Sequence, residues 1–153
     1  MPTPTLLTSG SSTTAASFYT TASIVPTAGD LVLVFVYNSK GSPAIAPTSL
    51  IVGELGGTFT QENSRDFDTD ASPSKILSVW RNSNTTGSGT IKIDFNAVDQ
   101  NGCMWFVVKI SSVNTTTNDG VGASATSFTD TATTSALVPS VGSGSAFRIG
   151  FVA

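Results

Sequence analysis

Between Leu31 and Tyr37 every position is apolar. Leu31, Leu33, Phe35 and Tyr37 fall on one face of an extended strand and Val32, Val34 and Val36 on the other. A strand apolar on both faces belongs in the middle of a sheet, covered on each side. Gly29-Asp30 supplies the turn that launches it, and Asn38-Ser39-Lys40-Gly41-Ser42-Pro43 gathers the turn formers that stop it.

Weaker versions of the pattern recur along the chain. Ser17-Phe18-Tyr19-Thr20-Thr21-Ala22-Ser23-Ile24 is rich in aromatic and β-branched residues and predicts the first strand, closed by Val25-Pro26. Ser49-Leu50-Ile51-Val52-Gly53-Glu54-Leu55 and Thr58-Phe59-Thr60-Gln61 flank Gly56-Gly57, a two-residue connection that predicts a tight hairpin. Residues 62–74 are acidic and polar and contain Pro73, so a long exposed loop is expected. Lys75-Ile76-Leu77-Ser78-Val79-Trp80-Arg81 resumes a strand. In Thr90-Ile91-Lys92-Ile93-Asp94-Phe95-Asn96 the apolar positions alternate cleanly with Lys92 and Asp94, as in a sheet wet on one side. Met104, Phe106, Val108 and Ile110 form a further apolar stripe opposite Trp105 and Val107.

The ends differ in character. Residues 8–16 are nearly all small and polar, and residues 1–16 are read as an extended arm whose order depends on a neighbour. Residues 17–153 make a single domain, with a loop or exposed edge strands over 115–134 and a closing strand at Phe147-Arg148-Ile149-Gly150-Phe151. The Val25-Pro26, Gly29-Asp30 and apolar-strand sequence is loosely echoed by Val138-Pro139, a Gly/Ser turn, and residues 146–152. The echo stops at Ala153, directly after its strand, so the natural chain is expected to run further. About eight short strands, no helical stripe and frequent turn signals predict an all-β fold, an antiparallel β-sandwich of jelly-roll type with very little helix.

Composition narrows the function. The 153 residues carry 11% charged side chains against 39% hydrophobic ones, too apolar for a disordered chain. A net charge of -3 with singly scattered Lys and Arg gives no phosphate-binding surface, so nucleic acid is not an expected partner. No apolar run approaches the roughly 18 residues of a membrane span, and the N-terminus lacks the basic start of a secretory signal. Cys103 is the single cysteine, and its neighbours Met104-Trp105-Phe106 place it in the interior.

Several residues bear on chemistry. The chain has no histidine, which removes Ser-His-Asp and Cys-His nucleophilic arrangements. Glu54 and Glu62, the two glutamates, are the candidates for a carboxylate glycosidase pair, against a plain reading as surface charge. Asp66, Asp68 and Asp70 alternate like the start of a calcium loop, but Ala71 stands where an EF-hand needs Gly and Leu77 where it needs Glu. Asn84-Thr85-Thr86 and Asn114-Thr115-Thr116 fit the glycosylation pattern, which chance supplies in a chain so rich in Asn and Thr. Trp80, Trp105, Tyr19 and Tyr37 would make a sugar-stacking platform if exposed together, but their apolar neighbours favour core packing. Gly142-Ser143-Gly144 is a turn before a strand, with no helix to make a phosphate cradle. No catalytic, cofactor-binding or metal-binding residue is therefore assigned, and no enzyme is expected.

Val25-Pro26 with Ala28-Gly29-Asp30-Leu31, then Val79-Trp80-Arg81, Val107-Val108-Lys109-Ile110, and Val138-Pro139 with Ile149-Gly150-Phe151-Val152 together resemble a β-sandwich family of phage structural proteins and bacterial surface proteins. The chain departs from it at Pro47-Thr48-Ser49-Leu50, where members often carry a Pro-Ala-Gly-Trp turn. The resemblance implies a non-enzymatic virion structural protein, foremost a capsid decoration protein bound to the major capsid protein as a homotrimer. That would place it on the capsid surface of the virion. The alternative it implies is an extracellular bacterial surface or carbohydrate-binding module.

Overall fold

The computed structural model describes residues 3–40, 45–67 and 74–113. These contain eight strands: β1 (Thr3–Ser12), β2 (Phe18–Thr20), β3 (Leu31–Lys40), β4 (Ser49–Val52), β5 (Thr60–Phe67), β6 (Ser74–Asn82), β7 (Ile91–Asp94) and β8 (Gly102–Ser111). They form two antiparallel sheets, one of order β1-β8-β3-β6-β5 and one of order β2-β7-β4, with no helix among the described residues. The fold is an all-β sandwich. It has a jelly-roll weave, in which β1, β3, β6 and β8 share one sheet and β2, β4 and β7 the other, except that β5 joins the sheet of β6.

β3 is the middle strand, as its two apolar faces require. It pairs with β6 on one side and with β8 on the other, and its first six residues are buried. Val32, Val34 and Val36 face the three-stranded sheet and meet Ile91, Ile93 and Phe95 of the segment around β7, together with Tyr19, Leu50, Trp80, Trp105 and Val107. Leu31, Leu33 and Phe35 point the other way and cluster with Val108 and Ile110. The alternation read in β7 holds, with Ile91 and Ile93 fully buried and Lys92 and Asp94 on the outer side.

Three expectations are corrected. Residues 3–12 are not a free arm: β1 pairs with β8 from Thr3↔Ser111 to Ser12↔Cys103. Its small residues carry no apolar alternation, and the ladder to β8 holds it in place. Of the loop expected over 62–74, residues 62–67 belong to β5, a polar strand held by β6, and Ser74 opens β6, while residues 68–73 lie outside the described residues. Gly56-Gly57 does not close a hairpin, because β4 belongs to the three-stranded sheet and β5 to the five-stranded one. The connection crosses the core instead, with Leu55 and Phe59 buried between the sheets and both glycines in the left-handed region, at φ 62° and 71°. The strands expected from the Thr-rich region and from 147–151 lie outside the described residues.

A buried polar lattice ties the loops at one end of the sandwich. Asn38 Nδ2 donates to Gln100 Oε1 at 2.9 Å and to the Ile45 carbonyl at 2.7 Å, while Gln100 Nε2 donates to the Val98 carbonyl at 2.9 Å. Tyr19 Oη donates to the Thr14 carbonyl at 3.0 Å, and its ring meets Phe95 edge-on at 6.1 Å. Both Asn38 and Gln100 are fully buried, so these bonds offset part of the cost of taking two amides out of water, and Asn38 Oδ1 is buried without a hydrogen-bond partner among the described residues.

Candidate functional site

The five-stranded sheet ends in two unlike edges among the described residues. β5 carries Glu62, Arg65 and Asp66, the kind of charge that keeps an edge from pairing with other chains. β1, Thr-Pro-Thr-Leu-Leu-Thr-Ser-Gly-Ser-Ser, carries none over ten residues. This uncharged edge is the candidate interaction surface. Its pairing register breaks between Leu6 and Thr8, which turns Leu7 against the inter-sheet core and leaves Leu6 58% exposed. At Gly10 the strand lies flat on the indole of Trp105, so close that a Cβ there would stand 2.5 Å from Cζ2. Ser9, Gly10 and Ser11 then frame, with Met104 and Phe106 of β8, an open hollow of about 220 Å³. Met104 is 41% exposed at its rim.

Charge near this edge is locked into the fold. Asp30 lies in the turn before β3 and accepts from the Thr27 amide and from Lys109 Nζ of β8, each at 3.0 Å. Burial opposes its ionisation, but hydrogen bonds from Lys109, Ser111 and Thr27 outweigh that and hold its carboxyl below the usual range. Lys92 and Asp94 pair on the outer face of β7, at 2.7 Å, and Lys92 also lies over the Phe18 ring. Burial pushes the Cys103 thiol up to about 12, so it is neutral and unreactive at neutral pH.

The residues singled out for chemistry do not converge. Glu54 is exposed in the connection after β4, whereas Glu62 on β5 is ion-paired with Arg81 of β6. Asp66 is exposed on β5, and Asp68 and Asp70 lie outside the described residues. Among the described residues no three acidic or cysteine side chains gather where a metal ion could sit. Tyr19, Trp80 and Trp105 are buried in the core between the sheets, and Tyr37 is half-buried on β3, so these four form no exposed sugar-stacking platform. Asn84 is exposed and its amide donates to Asn82 Oδ1, while Asn114 and Gly142-Ser143-Gly144 lie outside the described residues. The β1 edge went unseen in the sequence because an edge exists only once strand order is known. Its one available signal was a lack of charge, which in the sequence runs unbroken from Met1 to Gly29.

No family model, curated protein or solved structure matches the chain. The motifs that carry the phage and bacterial-surface resemblance fall on structural positions: Asp30 locks the turn before β3, Val79-Trp80-Arg81 lies in β6, and Val107-Val108-Lys109-Ile110 lies in β8.

Proposed function

We propose that this chain is a non-enzymatic virion structural protein, a capsid decoration protein that docks on the major capsid protein and assembles as a homotrimer. The observation that carries the reading is the asymmetry of the five-stranded sheet. Among the described residues one edge is guarded by charge, and the other is an uncharged strand with Leu6 and the Met104 hollow beside it. An unguarded edge has backbone hydrogen-bonding groups that a second chain can use, and pairing by backbone needs no charge complementarity. A sandwich with a surface of Ser, Thr, Asn and Gly also has little charge to hold copies apart at high local density. The sequence resemblance to phage structural proteins supports the same reading.

The test places charge on that edge. In the doubly substituted chain Leu6→Lys, Ser9→Lys both side chains leave the outer face of β1 and touch no part of the inter-sheet core. The native chain is expected to sediment as a trimer and to bind empty phage shells, and the charged variant to keep its melting temperature while losing both properties. A native chain that stays monomeric at high concentration and leaves shells undecorated contradicts the proposal.

A further inference from the structure

Asn101 alone among the asparagines of the chain precedes a glycine. That glycine, Gly102, opens β8, and packing fixes its identity. A Cβ there would stand 3.0 Å from the Ser12 carbonyl oxygen and 3.6 Å from Thr13 Cα, so the close approach of β1 requires a residue without one. Asn101 itself is exposed. An asparagine carboxamide is attacked by the backbone nitrogen of the residue that follows it, and a Cβ on that residue is the main obstruction. The packing that demands glycine at 102 therefore also removes the obstruction beside Asn101. The other asparagines of the described residues lack this combination. Asn38, Asn63 and Asn82 lie within strand ladders. Asn84 and Asn96 are exposed but precede Thr85 and Ala97, and each has its own amide held by a side chain, by Asn82 Oδ1 and Asp94 Oδ1, at 2.9 Å.

We propose that Asn101 is a self-modification site, at which the folded protein deamidates and forms isoaspartate. Hydroxide takes the proton of the Gly102 amide, and the freed nitrogen bonds to Asn101 Cγ. The Cγ–Nδ2 bond breaks, ammonia leaves, and a five-membered succinimide joins the two residues. Water then opens the ring at either carbonyl, giving aspartate or isoaspartate and in both cases adding a negative charge. The position gives the reaction a structural consequence. On one side Gln100 is fixed: it exchanges backbone hydrogen bonds with Ala16 at 2.9 and 3.2 Å, and its buried side chain is bonded to Asn38. On the other side Gly102 lies flush against Ser12. Isoaspartate routes the main chain through Cβ and Cγ, which inserts a methylene between these two held points. The Asn101 amide, which donates to the Ser39 carbonyl at 2.7 Å, sits at the insertion. The modified chain therefore gives up part of the Asn38–Gln100 lattice or the first pairs of β8. The reaction needs no partner and is independent of the proposed function, and it leaves older molecules with an added charge and a loosened end of the sandwich.

Two measurements on the full chain test it. The native chain is aged at mildly alkaline pH beside the same chain unfolded in urea, and peptide mapping reads deamidation at each asparagine. In the native chain Asn101 is expected to react at least about tenfold faster than Asn84 and Asn96, the exposed asparagines followed by a Cβ. A smaller ratio overturns the proposal, and a ratio that reaches tenfold only in urea identifies the fold, through the Ser39 bond, as what closes the site. Ageing is also expected to move the native chain to a more acidic species of lower melting temperature, and Asn101→Ser to abolish both changes. An aged Asn101→Ser chain that loses as much melting temperature as the native one contradicts the loosening of β8. The mapping uses the native sequence alone, so it decides even where Asn101→Ser fails to fold.

Discussion

Replacing Gly57 with alanine is expected to destabilise the protein by about 4 kcal/mol, far more than an alanine at an open left-handed glycine. Gly57 has φ 71°, where a Cβ costs about 1 kcal/mol in backbone conformation alone. The added carbon would also stand 2.6 Å from Asn82 Oδ1, 2.8 Å from Asn82 Nδ2 and 2.9 Å from the Asn84 carbonyl. Asn82 is 1% exposed and cannot swing into solvent. Its Oδ1 accepts from the Asn84 amide at 2.9 Å and its Nδ2 donates to the Gly56 carbonyl at 3.3 Å, so moving it forfeits both bonds. Two lost hydrogen bonds at about 1 kcal/mol each, with a buried amide left short of partners, add about 3 kcal/mol. Gly29→Ala is the control: φ there is 86° but nothing lies within 4 Å of the added carbon, and about 1 kcal/mol is expected. Urea unfolding followed by the fluorescence of Trp80 and Trp105, both buried, reads the two costs directly. For a chain of this length the difference of about 3 kcal/mol corresponds to roughly 10 °C in Tm. Costs that agree within about 0.5 kcal/mol would refute the argument that the core-crossing turn is held by Asn82.

Three further outcomes follow from the same structure. Leu55→Ala, emptying a fully buried position in that crossing, is expected to cost about 2–5 kcal/mol in urea unfolding, and a cost under about 1 kcal/mol would mean that Leu55 does not plug the core. Asp30 has its carboxyl held below the usual range, so its stabilisation is complete above about pH 4 and is lost as pH falls through the lower folded value. Asp30→Asn should therefore lower the urea midpoint at pH 7 and flatten its fall below about pH 4; an unchanged acid slope would contradict this. Cys103 is neutral in the fold up to about 12 but ionises near 9 when exposed, so stability should decline as pH rises between those values and Cys103→Ala should lessen that decline.

What the sequence made legible was periodicity. β6 and β7 were readable because their buried positions recur every second residue, and β3, with its place in the sheet, because it has no polar face. β1 and β5 were missed for a common reason. Among the described residues both are edge strands, and Thr3–Ser12 and Thr60–Phe67 owe their extended form to the ladder with a neighbour and not to a buried face. The Gly56-Gly57 turn was located correctly but assigned the wrong connection, because turn residues report local backbone shape and not the sheet each flanking strand joins. The contrast between a charged edge and an uncharged one needed strand order before it could be seen.

On the proposed function this chain works as part of a particle. The most direct measurement separates lysate of its native source on a density gradient and locates the chain by mass spectrometry, with its amount set against that of the major shell protein. Comigration with DNA-filled particles, at a stoichiometry near that of the shell protein, is the predicted result. A chain that travels free, or with cell envelope, would contradict a role in the particle.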